Sequence, residues 1–359
     1  MLVGGEGTRL RPLTWTTPKQ MLPIVEVTMI ERVLGHLAGF GIEEAILSMG
    51  YRPDVFLDAF PEGRAAGVRL TYAVEPEPLD TAGAIRFAAT AGRVDDTFLV
   101  LNGDVLTDVD VGALIGLHRD RRAEGTIHLA RVDDPSAFGV VPTDELGRVV
   151  AFVEKPPRDE APTDFINAGT YVLEPSVLER IAPDRRVSIE REVFPAIVDD
   201  GSLYAMPSPA YWIDTGTPSK YLQAQLDLLD GQRGAVPAPG AHRRDNGAWT
   251  LGAAVIHGRV VPPTLIGDAA FIAAGATVER AVIGAGARVH EGAIVRSSVL
   301  LPGAAVREGA TVEDSIVGEG AIVGEGATLQ GLTVVGGEET VAAGAKLDGE
   351  RVGGPTGTA

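Results

Sequence analysis

Cysteine is absent from the 359 residues, which excludes disulfides, a thiolate nucleophile and any zinc site built on cysteine. Lysine is scarce. It occurs only as Lys19, Lys155, Lys220 and Lys346, so the surroundings of each one carry information. No apolar run approaches the roughly 20 residues that a membrane-spanning helix needs. Met1 leads straight into a glycine loop with neither a charged leader nor a cleavage site, so a cytoplasmic protein without a membrane partner is expected. Positive charge is also in deficit, with 31 Lys and Arg against 49 Asp and Glu and a net charge of −18. Nucleic acid demands a basic face and is therefore excluded as a partner. A phosphate ligand would have to be met by a few placed cations.

Glycine, by contrast, is abundant, with 45 residues and no collagen period, which implies many tight corners. The length exceeds one comfortable core, so two domains are expected. Over residues 1–230, short β-branched runs alternate with helical patterns, as in the apolar strand Phe98–Leu101 followed by "NGDV" and a helix near residues 111–121. This predicts a Rossmann-like α/β domain with a mostly parallel, mixed sheet, whose ligands lie outside the carboxyl ends of the strands. Thr217 and Pro218 open a helix with an apolar stripe through Leu222, Leu226 and Leu229. Residues 231–248, rich in Gly and Pro, read as a linker.

From residue 249 the chain falls into five rows of seventeen, with glycine at the tenth place of every row: Gly258, Gly275, Gly292, Gly309 and Gly326. Inward aliphatics recur at a spacing of six, six and five, for example Val289 with Val295 and Val306 with Val312. Such spacing winds a triangular prism with one strand per face. It resembles the hexapeptide repeats of left-handed parallel β-helices, predicted over residues 249–345 and followed by a flexible tail at 346–359. His257 and His290 raise the acyltransferase chemistry of some β-helices, but both fall between inward positions and read as solvent-facing.

The opening residues set the chemical question. "GGEGTRLRPLTWTTPKQMLP" puts bare backbone at Gly4, Gly5 and Gly7 beside Thr8, Arg9, Arg11 and Lys19. Backbone N–H groups there can line a triphosphate while Arg9 and Lys19 neutralise it; Arg11 reads as a solvated arginine. This stretch, with "PLDTAG" (78–83), "LNGDV" (101–105), "FGVV" (138–141), "FVEKP" (152–156), "INAGTYVLEP" (166–175) and "YWIDTGTP" (211–218), resembles the sugar-nucleotide pyrophosphorylases, nucleotidyltransferases that join a sugar 1-phosphate to a nucleoside triphosphate. Within that family, "FVEKP", "NAGTYVLEP", "SIEREVFP" (188–195), "YWIDTGTP" and the attached β-helix are most similar to the mannose-1-phosphate guanylyltransferases.

The resemblance implies GTP and mannose 1-phosphate as substrates. It implies catalytic roles for Arg9, Lys19, Asp104 and Asp214, and one Mg²⁺ held by Asp104 and Asp214, hard carboxylates suited to a hard cation. Nucleotide binding falls to Gly4, Gly5, Gly7, Thr8, Arg9, Lys19, Glu75, Thr81, Gly83 and Asp104, with Glu75 able to accept from a guanine edge. Sugar-phosphate binding falls to Gly139, Glu154, Lys155 and Asn167. An exposed β-helix end suggests a homo-oligomer. Other readings are a glucose-1-phosphate enzyme using UTP, dTTP or ATP, a catalytically silent scaffold, and a bifunctional uridylyl and acetyl transferase, which would be expected to carry a longer β-helix. Two departures from the family stand out. Only Met1, Leu2 and Val3 precede the glycine loop, so the natural start is expected upstream, which an intact mass beginning at Met1 would exclude. Asp80 also stands where many relatives have glycine.

Overall fold

A computed structural model describes residues 1–183 and 185–354. The chain divides into two compact units, one of Met1–Gly5 with Ile30–Ile213, the other of Glu6–Met29 with Asp214–Ala359.

In the first unit, strands Glu44–Met49 and Val68–Val74 run parallel in register, with Arg64–Ala65 antiparallel at the edge. Phe98–Leu101 pairs antiparallel with Phe165–Leu173, which pairs antiparallel with Gly125–Arg131, and Leu203–Pro207 follows in parallel. The sheet is therefore mixed, with the reversal at Phe165–Leu173. That strand is buried along nearly its whole length, as a central strand covered on both faces should be. Ile85, Val100, Ile127, Tyr171, Phe194 and Leu203 join it in one core. Helix Val111–Arg121 starts where the Asp110 carboxylate accepts Ala113 N–H at 2.8 Å, a cap that meets one of the helix's orphan donors. The sheet carries Asp104, Glu154 and Asn167, each on or beside a strand.

Leu2 makes isolated parallel bridges to Ser48 on one side and Asn102 on the other. Alongside it, between Glu44–Met49 and Phe98–Leu101, lies a cavity of about 530 Å³ lined by Met1, Ala45, Ile46, Leu99 and Val100 among others.

In the second unit, strands Pro23–Ile24 and Val27–Thr28 form a hairpin with Val25 and Glu26 at φ 49° and 64°, the two-residue loop with both φ positive that suits a hairpin's twist. Helix Pro218–Leu229 buries Tyr221, Leu222, Gln225 and Leu226. Three parallel sheets then build a β-solenoid, one of them running from Trp249–Thr250 through Leu265–Ile266, Val282–Ile283, Val299–Leu300, Ile316–Val317 and Val334–Val335 to Arg351–Val352. The predicted inward residues Val289, Val295, Val306 and Val312 are all 0% exposed, and from Leu265–Ile266 to Ile316–Val317 the period of seventeen is the period of the coil; the first coil departs from it, with Thr250 opposite Ile266 and Val260 opposite Val278.

Three stretches differ from the sequence reading. Lys346–Asp348 and Arg351–Val352, expected in a tail, are strands of a further coil. Between Val317 and its partner Val335 the row holds one extra residue, taken up at the Gly331–Leu332 corner where both φ are positive. That insertion breaks the sequence period without breaking the stacking. His242–Arg243, expected in the linker, pairs antiparallel with Trp249–Thr250. His257 is exposed, and His290 bonds Glu308 at 3.2 Å and Arg307 at 3.3 Å on the outer face.

The Met1 ammonium donates to Ile46 O at 2.8 Å inside the sheet, and burial pulls its pKa from 8.0 to about 5. Between those values the unfolded chain binds a proton that the folded chain refuses. In a chain that starts at Met1 this group's contribution is therefore complete above pH 8 and is lost as pH falls toward 5. His128, buried with both ring nitrogens unpartnered, is held down to about 4 and loses its own share at lower pH. Adding several β-branched residues ahead of Met1 would lay a strand in the cavity and remove the buried amine. Such a chain is expected to melt higher and to lose less stability from pH 8 to 5; equal melting curves across that range would show that the cavity accepts no strand.

Candidate active site

The expected site residues fall into two groups, one in each unit. In the first unit, Gly4 and Gly50 pass so closely that a Cβ on Gly4 would lie 3.1 Å from Gly50 N. Glu75 is committed to its own turn: Oε1 accepts from Ser48 Oγ at 2.9 Å and Oε2 from Leu79 N at 3.1 Å. That turn delivers helix Asp80–Gly92, whose first N–H groups are met from within the protein. Ala82 N and Gly83 N donate to Val187 O at 2.9 and 3.2 Å. Thr81 Oγ1 donates to Glu190 at 2.7 Å and accepts Ile189 N–H at 2.9 Å. Gly83 has no room for a side chain, since a Cβ would come 2.9 Å from Arg185 O. Asp80 has φ 61°, a left-handed conformation natural to glycine. Its carboxylate accepts Thr81 N–H at 2.8 Å and pairs with Arg191 at 3.0 Å.

Asp104 is half-buried in the turn after Phe98–Leu101, which is held by Gly103 N donating to Leu2 O at 3.0 Å and Asn102 N to Gly169 O at 2.8 Å. Gly169 has φ 73°, and a Cβ there would fall 2.7 Å from Asn102 Nδ2.

The four expected sugar-phosphate residues lie on or just past three neighbouring strands, Gly139–Val140, Val153–Glu154 and Phe165–Leu173. Gly139 is the register partner of Glu154, and Ile166, next to Asn167, partners Val140. A Cβ on Gly139 would meet the Phe152 ring at 2.6 Å and Glu154 Oε2 at 3.1 Å. Lys155 Nζ lies 3.1 Å from Glu154 Oε1 with its side chain 63% exposed. Asn167 donates to Tyr171 Oη at 2.8 Å and accepts Gly169 N–H at 3.0 Å. Burial, then the charges of Glu190, Glu154 and Asp104, push the Tyr171 phenol well above its ordinary range. It remains a neutral hydroxyl among three carboxylates. Trp212 Nε1 donates to Ala168 O at 2.9 Å and its ring stands edge-on to Phe138 at 5.6 Å. Glu190 and Trp212 were not singled out from the sequence, although both lie inside quoted motifs.

In the second unit, Gly7 (φ 63°) leads into the turn Thr8–Leu10, with Thr14 Oγ1 donating to Gly7 O at 2.7 Å. A Cβ on Gly7 would lie 3.3 Å from the Lys19 Cβ, so loop and lysine stem are in contact. Arg9 Nη2 lies 3.7 Å from Asp214 Oδ2, with side chains 61% and 23% exposed. Gly216, also missed from the sequence, makes that pair possible: its N–H donates to Asp214 Oδ1 at 2.8 Å, and a Cβ would fall 2.5 Å from Arg9 Nη2. Arg11 is not simply solvated. It pairs with Glu6 at 2.9 Å and stacks over Trp15 at 4.0 Å. An exposed guanidinium beside a carboxylate can take an anion on one partner and a cation on the other.

With this geometry in place, comparison with known proteins fixes the class. The model of the nucleotidyl transferase family matches residues 1–231, and that of the GMPPB C-terminal domain matches residues 260–355; the chain belongs to the nucleotidyl transferase family. It is similar to the mannose-1-phosphate guanylyltransferase of Mycobacterium tuberculosis, 46% identical over 73% of this chain and 74% of that protein. It is also similar to probable mannose-1-phosphate guanylyltransferase 1 of Oryza sativa, 39% identical over 76% of this chain and 73% of that one. Among solved structures, HddC from Yersinia pseudotuberculosis complexed with GMP-PN is 31% identical, with a TM-score of 0.54 over 62% of this chain and 96% of that chain. Among the described residues no helix is long and apolar enough to cross a membrane.

The two glycines predict opposite phenotypes. Gly169→Ala forces a left-handed backbone onto alanine, a cost of about 1–2 kcal/mol before any clash, and should lower the melting temperature. Gly216→Ala displaces only side-chain ends and should melt near the wild type while losing nucleotidyl transfer, because Arg9 and Asp214 can no longer close. Thermal melts beside turnover would separate them; a fully active Gly216→Ala enzyme would remove Arg9 and Asp214 as a functional pair.

Proposed function

We propose that this protein transfers a guanylyl group from GTP to α-D-mannose 1-phosphate, giving GDP-mannose and pyrophosphate. The observation that carries the substrate pair is its similarity, over about three quarters of its length, to proteins named for that reaction. The GMP-PN complex of a structural neighbour favours a guanine nucleotide.

In this reading the loop Gly4, Gly5, Gly7 and Thr8 offers backbone N–H groups to the triphosphate, and Arg9 and Lys19 neutralise it. Glu154 accepts from sugar hydroxyls, Lys155 meets the sugar's phosphate, and Asn167 and the Gly139 backbone complete that pocket. A phosphate oxygen of mannose 1-phosphate attacks the α-phosphorus of GTP in line; the new P–O bond forms as the bond to the β-phosphate breaks. The nucleophile is already ionised, so no protein base is required, and the cations stabilise charge growing on the departing pyrophosphate. Glu75, Thr81 and Gly83 act behind the nucleotide: their hydrogen bonds set the turn and helix start that the base would face.

Among the described residues no cluster of three or more His, Cys, Asp or Glu is arranged to hold a metal. Two carboxylates suffice where phosphate oxygens complete the shell, and the donors are hard oxygens, as Mg²⁺ requires. Asp104 and Asp214 would hold it, and when bound it would neutralise the phosphates between which the bond breaks.

The test is pyrophosphate release with Mg²⁺, crossing mannose, glucose and N-acetylglucosamine 1-phosphates against GTP, UTP, dTTP and ATP. Release confined to mannose 1-phosphate with GTP is expected. Another productive pair would overturn the specificity, and silence across the grid would support a scaffold. Lys155→Ala should raise the KM for the sugar phosphate about tenfold, the worth of one charge-assisted hydrogen bond, with little loss of stability because its ion pair is exposed. Asp214→Asn should demand more Mg²⁺ for half-maximal rate; an unchanged titration would remove it from the metal site.

A further inference from the structure

The proposed chemistry uses no residue of the solenoid, yet the solenoid grips the segment that carries the triphosphate-binding groups. Arg351, on the strand Arg351–Val352, donates from Nη1 to Arg9 O at 2.8 Å and also to Arg11 O. These carbonyls flank the end of the turn Thr8–Leu10, where unpaired acceptors gather and a cation is the fitting partner. Arg351 is itself anchored, because its strand pairs with Val334–Val335. Gly336, just past that strand, leaves space that Pro12 occupies: a Cβ there would lie 3.1 Å from Pro12 Cβ. A second contact lies further along the prism, where Ala285 N donates to Glu26 Oε2 at 2.9 Å.

We infer that Arg351 is a positioning residue for the nucleotide: by holding the main chain on both sides of Leu10, it fixes the direction in which the Arg9 side chain leaves the backbone toward Asp214 and the triphosphate. The inference rests on the nucleotidyl-transfer reading. It gives the solenoid a part in nucleotide use beyond subunit contact, carried by a residue that touches neither substrate. Arg351 is exposed, so its loss should leave the coil folded while loosening the loop.

The experiment is steady-state kinetics of the full chain with GTP and mannose 1-phosphate, for the wild type, Arg351→Ala, Arg351→Lys and Arg296→Ala. Arg296 is an exposed solenoid arginine whose carboxylate partner is Glu279, and it serves as the control. Arg351→Ala is expected to raise the KM for GTP about tenfold, because small misplacements of a binding group carry factors of that order or more, while the KM for mannose 1-phosphate stays put. Lysine, which keeps a cation on the carbonyls, should recover part of the loss, and Arg296→Ala should behave as wild type. If Arg351→Ala folds poorly, Arg351→Lys and Arg351→Gln, which keep the stem, carry the comparison. A purely structural role would reduce kcat with the fraction folded and leave both KM values unchanged; that result, or wild-type kinetics in Arg351→Ala, overturns the inference alone. A wild type silent with every substrate pair overturns both the function and the inference.

Discussion

The segment Glu6–Met29, which carries Arg9 and Lys19, buries Leu10, Ile24, Val25 and Met29, and its hairpin is held by polar contacts with parts of the chain some two hundred residues away. The Pro23 carbonyl accepts from both Tyr221 Oη and Gln225 Nε2, and Gln225 Oε1 accepts Val25 N–H at 2.6 Å. Both side chains are buried on helix Pro218–Leu229, where unmet polar groups would cost more than these bonds contribute. The hairpin is therefore pinned by necessity, and the same helix begins four residues after Asp214. One helix thus fixes the hairpin at the end of the loop segment and the carboxylate that pairs with Arg9.

What could be read from the sequence was whatever repeats or whatever needs a particular backbone. The solenoid was legible because each coil must bury one aliphatic per face, and that demand writes a period into the chain. The strand-to-loop positions of Asp104 and Asp214 were legible because apolar runs ended just before them. Gly169 and Gly216 sit inside motifs that were recognised, but the reason for each lies in a tertiary neighbour, Asn102 in one case and Arg9 in the other. No local pattern contains that information.

The less legible parts are those where tertiary context overrides a local rule. Val25 and Glu26 form a positive-φ hairpin loop without glycine or asparagine, against the usual preference. Glu26 then lies half-buried, and burial raises its pKa even though Ala285 N–H stabilises the charge. A conformationally awkward and partly desolvated carboxylate at this point is difficult to explain by local folding alone. Its value is the contact with Ala285, which ties the loop segment to the prism. Asp80 follows the same logic, accepting a left-handed backbone and gaining Arg191 in return.

The two contacts of the segment with the solenoid also set a length. Ala285 follows the strand Val282–Ile283, and Arg351 lies four strands further along the same face, a rise of about 19 Å at ~4.8 Å per strand. A stack of coils makes a stiff spacer because each coil packs its inward side chains on those of the next, as the fully buried Val289, Val306 and Val323 do. The extra residue at Gly331–Leu332 is absorbed at a corner, so it changes the sequence period and leaves the rise intact. The number of coils between Glu26 and Arg9 is thus constrained by the loop segment they hold, and the last coil is part of that constraint even though the repeat is no longer legible there.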